Sequence, residues 1–410
     1  MDDDAAEVVP GEQGGAIELR DRESVVPIEL FFDLVFVLGF TQCTASMVAN
    51  PGWAGVGHAL LVLATLWWAW ELFAWVTSVV EPEEGWVRMA MLGATVALLI
   101  VAISIPEAFG ERAADFAVAY AVVRLVHIGL YVSAARRRAG IRRAVGRFAI
   151  STVLVIALLG ASTFTTGAAQ VALWLAAIAV DGFAVLLGDP SWPILPSHFA
   201  ERHNLVIIIA LGESIVAIGT GVTVALSAPV VVGACLGATV AAALWWMYFD
   251  VVSLVTEQRL QKAPEGRDRT KLARDSYSFL HFPMIAGIVL LAFGMEGVLA
   301  EIEEPLDLVH VVALYGGASL YLLAHVALRL RNARSVNVER LVAAVLLVGM
   351  VAVGVRVDAL VAIILLNVVV WAVIAYEAVF VYDERRYRLR HGMEEAEIGS
   401  SPVADAPVES

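Results

Sequence analysis

Cysteine and lysine are nearly missing from this chain. There are two cysteines in 410 residues, Cys43 and Cys235, and each falls inside an apolar stretch. A free cysteine in such a setting reads as a small buried hydrophobe, and neither a disulfide framework nor a thiol metal site is indicated. Only Lys262 and Lys271 among the 27 basic residues are lysine, a composition typical of a GC-rich bacterial genome. Charge is scarce as well: 17% of residues are charged, against about 25% in an ordinary soluble protein. The motifs H-E-x-x-H, Walker A, C-x-x-C and G-x-S-x-G are all missing, so no metalloprotease, nucleotide-loop, dithiol or serine-hydrolase signature is present. The N-terminus has no basic n-region, so no cleaved signal peptide is expected.

What the chain has instead is apolar length. Hydrophobic residues make up 60% of it, and the mean hydropathy is +0.79. Twelve spanning helices of about 21 residues would use about 252 residues, which matches that share. The composition therefore indicates an all-α polytopic membrane protein. It argues against a secreted disulfide scaffold, a nucleic-acid binder, a disordered chain and an ordinary cytosolic enzyme. The net charge of −14 comes largely from the ends. Residues 1–24 hold eight acids against Arg20 and Arg22, and residues 391–410 hold five acids with no Lys or Arg. Both tails, 1–26 and 383–410, are expected to be acidic, disordered and cytoplasmic.

Twelve apolar stretches stand out, at 27–47, 57–80, 86–105, 113–134, 146–163, 168–187, 203–225, 229–255, 276–299, 307–329, 339–354 and 357–380. Those at 146–163 and 339–354 are short, and only Val355-Arg356 separates the last two. Placing the N-terminus in the cytoplasm puts 24 of the 27 Lys and Arg on the inner side. Arg112 and Arg356 fall outside, and Arg124 lies within a span. That asymmetry is a positive-inside signal for twelve spans with both termini cytoplasmic in a bacterial plasma membrane.

The chain also reads as two sixes, 27–187 and 203–382, joined by a cytoplasmic linker at 188–202. Span 2 carries Trp67-Trp68-Ala69-Trp70-Glu71 and span 8 carries Trp245-Trp246-Met247-Tyr248-Phe249-Asp250. Glu29 and Glu201 stand at the inner ends of spans 1 and 7, and His127 and His325 lie in spans 4 and 10. An even number of spans per half predicts a parallel repeat about an axis along the membrane normal.

A charge near the bilayer centre costs about 2.5–3.5 kcal/mol on insertion scales, so intramembrane polar residues are the candidates for function. Span 1 places Glu29 and Asp33 four residues apart on one helix face, where they need a basic partner, a bound cation or a proton. Span 7 carries Glu201, Arg202, His203 and Asn204 at its inner end and Glu213 close to the midplane, between Gly212 and Ser214. The remaining candidates are Glu71, Arg124, His127, Asp181, Asp250, Tyr277, His281 and His325. Several carboxylates and bases thus share a depth on different helices, and mutual pairing inside the bundle is the economical arrangement. The Trp-rich stretches read as packing and interface anchors.

The run Glu23-Ser24-Val25-Val26-Pro27-Ile28-Glu29-Leu30-Phe31-Phe32-Asp33-Leu34-Val35-Phe36-Val37 resembles the opening signature of the bacterial low temperature requirement protein A (LtrA) family. So do Glu201-Arg202-His203-Asn204-Leu205 with Ile209-Ala210-Leu211-Gly212-Glu213-Ser214-Ile215-Val216, the block at 245–250, and Tyr277-Ser278-Phe279-Leu280-His281-Phe282-Pro283-Met284. The resemblance covers roughly residues 22–385. His203-Asn204 departs from it, since the family tends towards an aromatic and a small residue there. The resemblance implies a multi-pass bacterial membrane protein whose family is named for a growth phenotype. Phe31-Phe32-Asp33 is also similar to the Arg-x-x-x-Phe-Ser-Asp-type opening of a family of endolysosomal and bacterial potassium channels, although Glu29 stands in that region and the basic residue lies upstream as Arg22.

Three functions follow as expectations. The first is a transporter or cation channel for a small ion or solute, with spans 1 and 7 lining the path and Asp33 and Glu213 as gates or ion contacts. The second is an intramembrane lipid-modifying enzyme, which requires His127, His281 and Asp250 to meet in one cavity, with or without a metal between them. The third is a non-catalytic sensor or assembly factor for growth at low temperature. The lipid bilayer is the expected partner. No cofactor or resident metal is expected, and oligomeric state is left open.

Overall fold

The computed structural model describes residues 24–83, 85–137, 142–187, 192–222 and 225–380. Most of the two acidic tails, residues 138–141 and residues 188–191 of the expected linker lie outside the described residues. Twelve long helical segments follow one another: α1 (Pro27–Ala49), α2 (Trp53–Thr77), α3 (Gly85–Ser104), α4 (Ala113–Arg137), α5 (Arg142–Ser162), α6 (Gly167–Leu186), α7 (Pro196–Gly221), α8 (Ala228–Lys262), α9 (Arg267–Ala300), α10 (Leu308–Ala333), α11 (Val338–Gly354) and α12 (Ala359–Phe380). Eleven of these are long and apolar enough to cross a membrane, and α11 has 17 residues. Among the described residues the only strand-like pairing is an isolated bridge between Pro305 and Asp358. Helices of this length satisfy their own backbone groups, which is what hydrocarbon demands.

The expected spans fall on these segments in order, with two informative differences. Helix α7 begins at Pro196, seven residues before the apolar run. Proline suits the first helical position because its missing N–H would have had no intrahelical partner. Helices α8 and α9 likewise run past their apolar windows into the basic segment 256–275, leaving a short turn at Ala263–Gly266. Gly266 makes that turn with φ 87°, a conformation that a side chain disfavours.

Helix faces explain why the sequence shows little amphipathic periodicity. In α12, Ala362, Ile363, Leu366 and Val370 are buried, whereas Val361, Ile364, Val368 and Trp371 are exposed. Both faces are apolar, as expected when one meets protein and the other meets lipid. Cys43 is buried as expected; Cys235 is exposed, which corrects the reading of it as a core residue. An outward position on an apolar helix is no less hospitable to a small apolar side chain when the solvent is lipid.

The chain divides into two compact units, Met1–Glu213 with Glu257–Val289, and Ser214–Thr256 with Leu290–Ser410. In the first unit α1 packs on α2 and α3, α2 also contacts α4 and α6, and α3 to α6 pack in sequence. Helix α2 is buried along nearly all of its length. In the second unit α12 packs on α8 and α11, and α11 on α10. Gly294 of α9 is required there by close approach, because a Cβ would sit 2.6 Å from the backbone nitrogen of Leu314.

Among the described residues, three helices contain a π-helical turn: α8 at Tyr248–Val252, α9 at Arg274–Phe279 and α10 at Val312–Gly316. Such turns insert one extra residue into the helix and often occur at functional sites. Those in α8 and α9 include Asp250 and Tyr277, two residues singled out from the sequence.

Candidate functional site

The first unit gathers charged side chains into one buried network. Helix α1 supplies Glu29 and Asp33, α2 supplies Trp70, Glu71 and Trp75, α7 supplies His198, Arg202 and His203, and the π-helical turn of α9 supplies Ser278. None of the seven ionisable or hydroxyl groups among them is more than 1% exposed. Charge in this position is tolerated only when paired.

The pairing follows from helix geometry. Glu29 and Asp33 are four residues apart on α1, and His198 and Arg202 are four apart on α7, so each pair shares a face. His198 Nε2 lies 3.0 and 3.1 Å from the two oxygens of Glu29. Arg202 Nη2 donates to Asp33 Oδ1 at 2.9 Å, and its Nη1 lies 3.6 Å from Glu29 Oε1. Trp70 Nε1 donates to the same Asp33 oxygen at 2.9 Å, and the guanidinium stands 5.5 Å from the centre of the Trp70 ring. Glu29 also accepts from the backbone N–H of Val26 at 3.1 Å, which closes the first turn of α1. Further along both helices, Thr41 Oγ1 donates to Glu213 Oε2 at 2.5 Å. The contacts advance together along the two helices, so α1 and α7 run parallel.

Glu71 is the second centre. His203 Nε2 lies 3.1 Å from Glu71 Oε2, while the other ring nitrogen faces the carbonyl of Phe199 at 2.8 Å. A donor on that nitrogen fixes the ring's orientation. Trp75 Nε1 donates to Glu71 Oε1 at 2.8 Å, and the Ser278 hydroxyl donates to the same oxygen. Trp67 holds the π-helical turn in place by donating to the Ser278 carbonyl at 2.8 Å. Tyr277 and His281 pack beside His203, with ring centres 4.9 and 5.2 Å from it. The network is not closed on itself. Asp33 Oδ2, Arg202 Nε and Nη1, and the Tyr277 hydroxyl have no hydrogen-bond partner among the described residues.

The other sequence candidates separate from this cluster. Arg124 and Asp181 form their own buried fork, with Nη1 to Oδ2 at 2.7 Å and Nη2 to Oδ1 at 2.8 Å, and Thr152 accepts from Nη2 at 3.3 Å. This joins α4, α5 and α6 without a titratable imidazole. His127 is buried between Phe73 and Tyr131, at ring distances of 5.6 and 4.5 Å. Glu201 is exposed and accepts from the Val25 N–H at 2.8 Å. Asp250 is part-buried and belongs to the second unit. Among the described residues, no three His, Cys, Asp or Glu side chains converge as metal ligands would.

The second unit has a buried cluster of which the sequence singles out His325 but not its partners. Arg340 of α11 forks onto Glu377 of α12 at 2.7 and 2.8 Å, and its Nη1 lies 2.6 Å from His325 Nδ1 of α10. Arg340, one of the bases that the charge asymmetry places on the inner side, is buried in the first turn of α11. Glu377 is a lone carboxylate in a long apolar run, the same signal that marked Glu213. His198 was missed because the expected span began five residues after it.

The family described as bacterial low temperature requirement A protein (LtrA) matches residues 24–375. An uncharacterized protein of Rhizobium meliloti (strain 1021) is 29% identical over 375 residues, covering 85% of this chain and 88% of that protein. No solved structure matches.

Proposed function

The chain belongs to the bacterial low temperature requirement A family, and we propose that it is a proton-coupled transport protein for a small ion or solute. The observation that carries this reading is the pairing of two buried carboxylates with two imidazoles, Glu29 with His198 and Glu71 with His203, on helices that cross the membrane. Histidine ordinarily changes charge between roughly pH 5 and 8, and a carboxylate beside it shares its proton. Proton transfer within either pair moves charge over about 3 Å and leaves the net charge unchanged. A second proton, or a cation taking the place of one, unbalances the pair in a medium that resists net charge. Relief comes from separating α1 and α2 from α7, and that separation is the step that would open a path. Arg202 and Asp33 supply the fixed pair about which the change occurs. The atoms left without hydrogen-bond partners at Asp33, Arg202 and Tyr277 suit a ligand or water passing the cluster.

In this reading the N-terminus faces the cytoplasm, as the placement of 24 of 27 basic residues on one side supports. The parallel course of α1 and α7 accords with equivalent first helices of two six-helix halves.

The test is flux into liposomes from purified protein, with an internal pH dye and K⁺ and Na⁺ gradients in turn. Wild type is expected to move protons in exchange with, or together with, one of these ions. Glu71→Gln and Asp33→Asn, checked for folding by their melting midpoints, are expected to reduce flux at least about tenfold, since each removes a charge-assisted contact. Unchanged flux in both variants would refute the roles given to the network. Absence of any flux from folded wild-type protein would move the reading to an organic solute or to a sensor.

A further inference from the structure

A second feature of the first unit lies at the basic end of α9. A cavity of about 450 Å³ is bounded by two chemically different walls. One is aromatic and aliphatic, made chiefly by Trp75, Tyr131, Phe148 and Trp192 with the end of α6. The other is cationic: Arg267, Lys271 and Arg274 stand at i, i+4 and i+7, on one face of α9. Among the described residues, no carboxylate lines the cavity.

The three cations are not equivalent. Arg274 is committed, since its guanidinium binds Asp275 at 2.6 and 2.8 Å and the Leu186 carbonyl at 3.1 Å. Arg267 and Lys271 are exposed, and neither makes an ion pair or hydrogen bond among the described residues. A further polar group is short of a partner: Trp192 is buried, and its indole N–H has no acceptor among the described residues.

We propose that this cavity binds an anionic membrane lipid, with its phosphate between Arg267 and Lys271 and the first part of its chains on the aromatic wall. Free phosphate would satisfy the cations and leave the aromatic wall wet. A zwitterionic lipid would cover the wall but bring its own cation against two others. An anionic amphiphile answers both walls at once, and its ester oxygens are acceptors for a donor such as the Trp192 N–H. The volume suits a headgroup and glycerol, with the chains continuing into the bilayer. Basic pockets between spanning helices recognise anionic headgroups in this manner, and arginine adds a planar fork that fits phosphate oxygens. This assignment stands apart from the transport reading, although Trp75 belongs both to the cavity wall and to the Glu71 contact.

Native mass spectrometry of the full chain in detergent tests it, with phosphatidylglycerol, phosphatidylcholine and inorganic phosphate titrated separately. One tightly held phosphatidylglycerol is expected, bound about 10–30-fold more strongly than phosphatidylcholine. Arg267→Ala with Lys271→Ala is expected to abolish that preference. Lys262→Ala, an exposed charge that does not line the cavity, is expected to leave it intact. Lys271→Gln alone should weaken the lipid about fivefold, and it serves if the double variant fails to keep the wild-type melting midpoint. Equal binding of the two lipids by wild type overturns the proposal, as does a preference that survives both variants. Inorganic phosphate binding as tightly as the lipid would show a phosphate site and overturn the lipid assignment.

Discussion

The Arg124–Asp181 fork makes a sharp distinction between structure and path. Both side chains are nearly fully buried, and two hydrogen bonds of 2.7 and 2.8 Å tie them together. Replacing Asp181 by Leu leaves the guanidinium with two neutral hydroxyls, those of Thr152, at 3.3 Å, and Tyr120, and no counter-charge. Breaking a buried pair from one side costs about 3–5 kcal/mol, because the surviving charge is stranded. Arg124→Leu should cost a similar amount by stranding the carboxylate. Replacing both together removes the stranded charge, and such apolar substitutions are often close to neutral. The cycle of single and double variants should therefore show a coupling energy of about 3 kcal/mol or more. The assay is unfolding of purified protein by stepwise addition of SDS to mild detergent, followed by tryptophan fluorescence. Single losses below about 1 kcal/mol, or a double loss equal to the sum of the singles, would refute the account of a desolvated pair. Proton flux in the double variant adds a second readout. Retained flux identifies a helix clamp, and lost flux in a stable double variant would place the pair in the path.

Three further outcomes follow. Glu377→Gln, which keeps the shape but not the charge opposite Arg340, should lower stability by about 3 kcal/mol in the same unfolding assay, and no change would mean the pair is hydrated. Gly294→Ala should lower it by about 1–3 kcal/mol, since the new methyl meets the backbone of Leu314 and cannot be absorbed by rotating a side chain. Asp307 caps α10 by accepting from the His310 N–H at 2.8 Å. Partial burial pushes its carboxyl up, but the amide and ring of His310 outweigh this and hold it below the usual aspartate range. Its stabilising contribution should be whole at neutral pH and fade as pH falls through the lowered folded value. The gap in melting midpoint between wild type and Asp307→Ala should thus narrow between pH 6 and pH 3, and a gap that stays constant would remove charge from the explanation.

The sequence showed the helices well because nearly all of them are apolar runs long enough to cross a bilayer, a signal that needs no partner to be visible. It was less informative at helix ends. The charges of 256–275 read as loop, yet α8 and α9 extend through much of that stretch, since a helix outside hydrocarbon is free to carry Arg and Lys. The cluster was half visible. The four-residue spacing of Glu29 and Asp33 called for basic partners, and Arg202 stood in the expected list. His198 fell in a segment read as linker, and Ser278 is an ordinary hydroxyl until the π-helical turn of α9 points it at Glu71. Depth along a helix, which spacing reveals, put Arg124, Asp181 and Glu71 together. Which helix faces which is decided by packing, and packing put Arg124 with Asp181 and Glu71 with His203.

The partners in the cluster are also separated in time. Glu29 and Asp33 stand 169 residues ahead of His198 and Arg202. At a synthesis rate of about 5–20 residues per second, the two carboxylates wait roughly 10–30 s for their bases to leave the ribosome. Trp70, 37 residues behind Asp33, arrives first. Ser278 completes the Glu71 contacts last, 207 residues behind that carboxylate. The first helix must therefore enter the membrane with its acids protonated, or sheltered at the interface or by the insertion machinery. A chain stopped before α7 would keep that need permanently, and so should be a preferred substrate for membrane quality control.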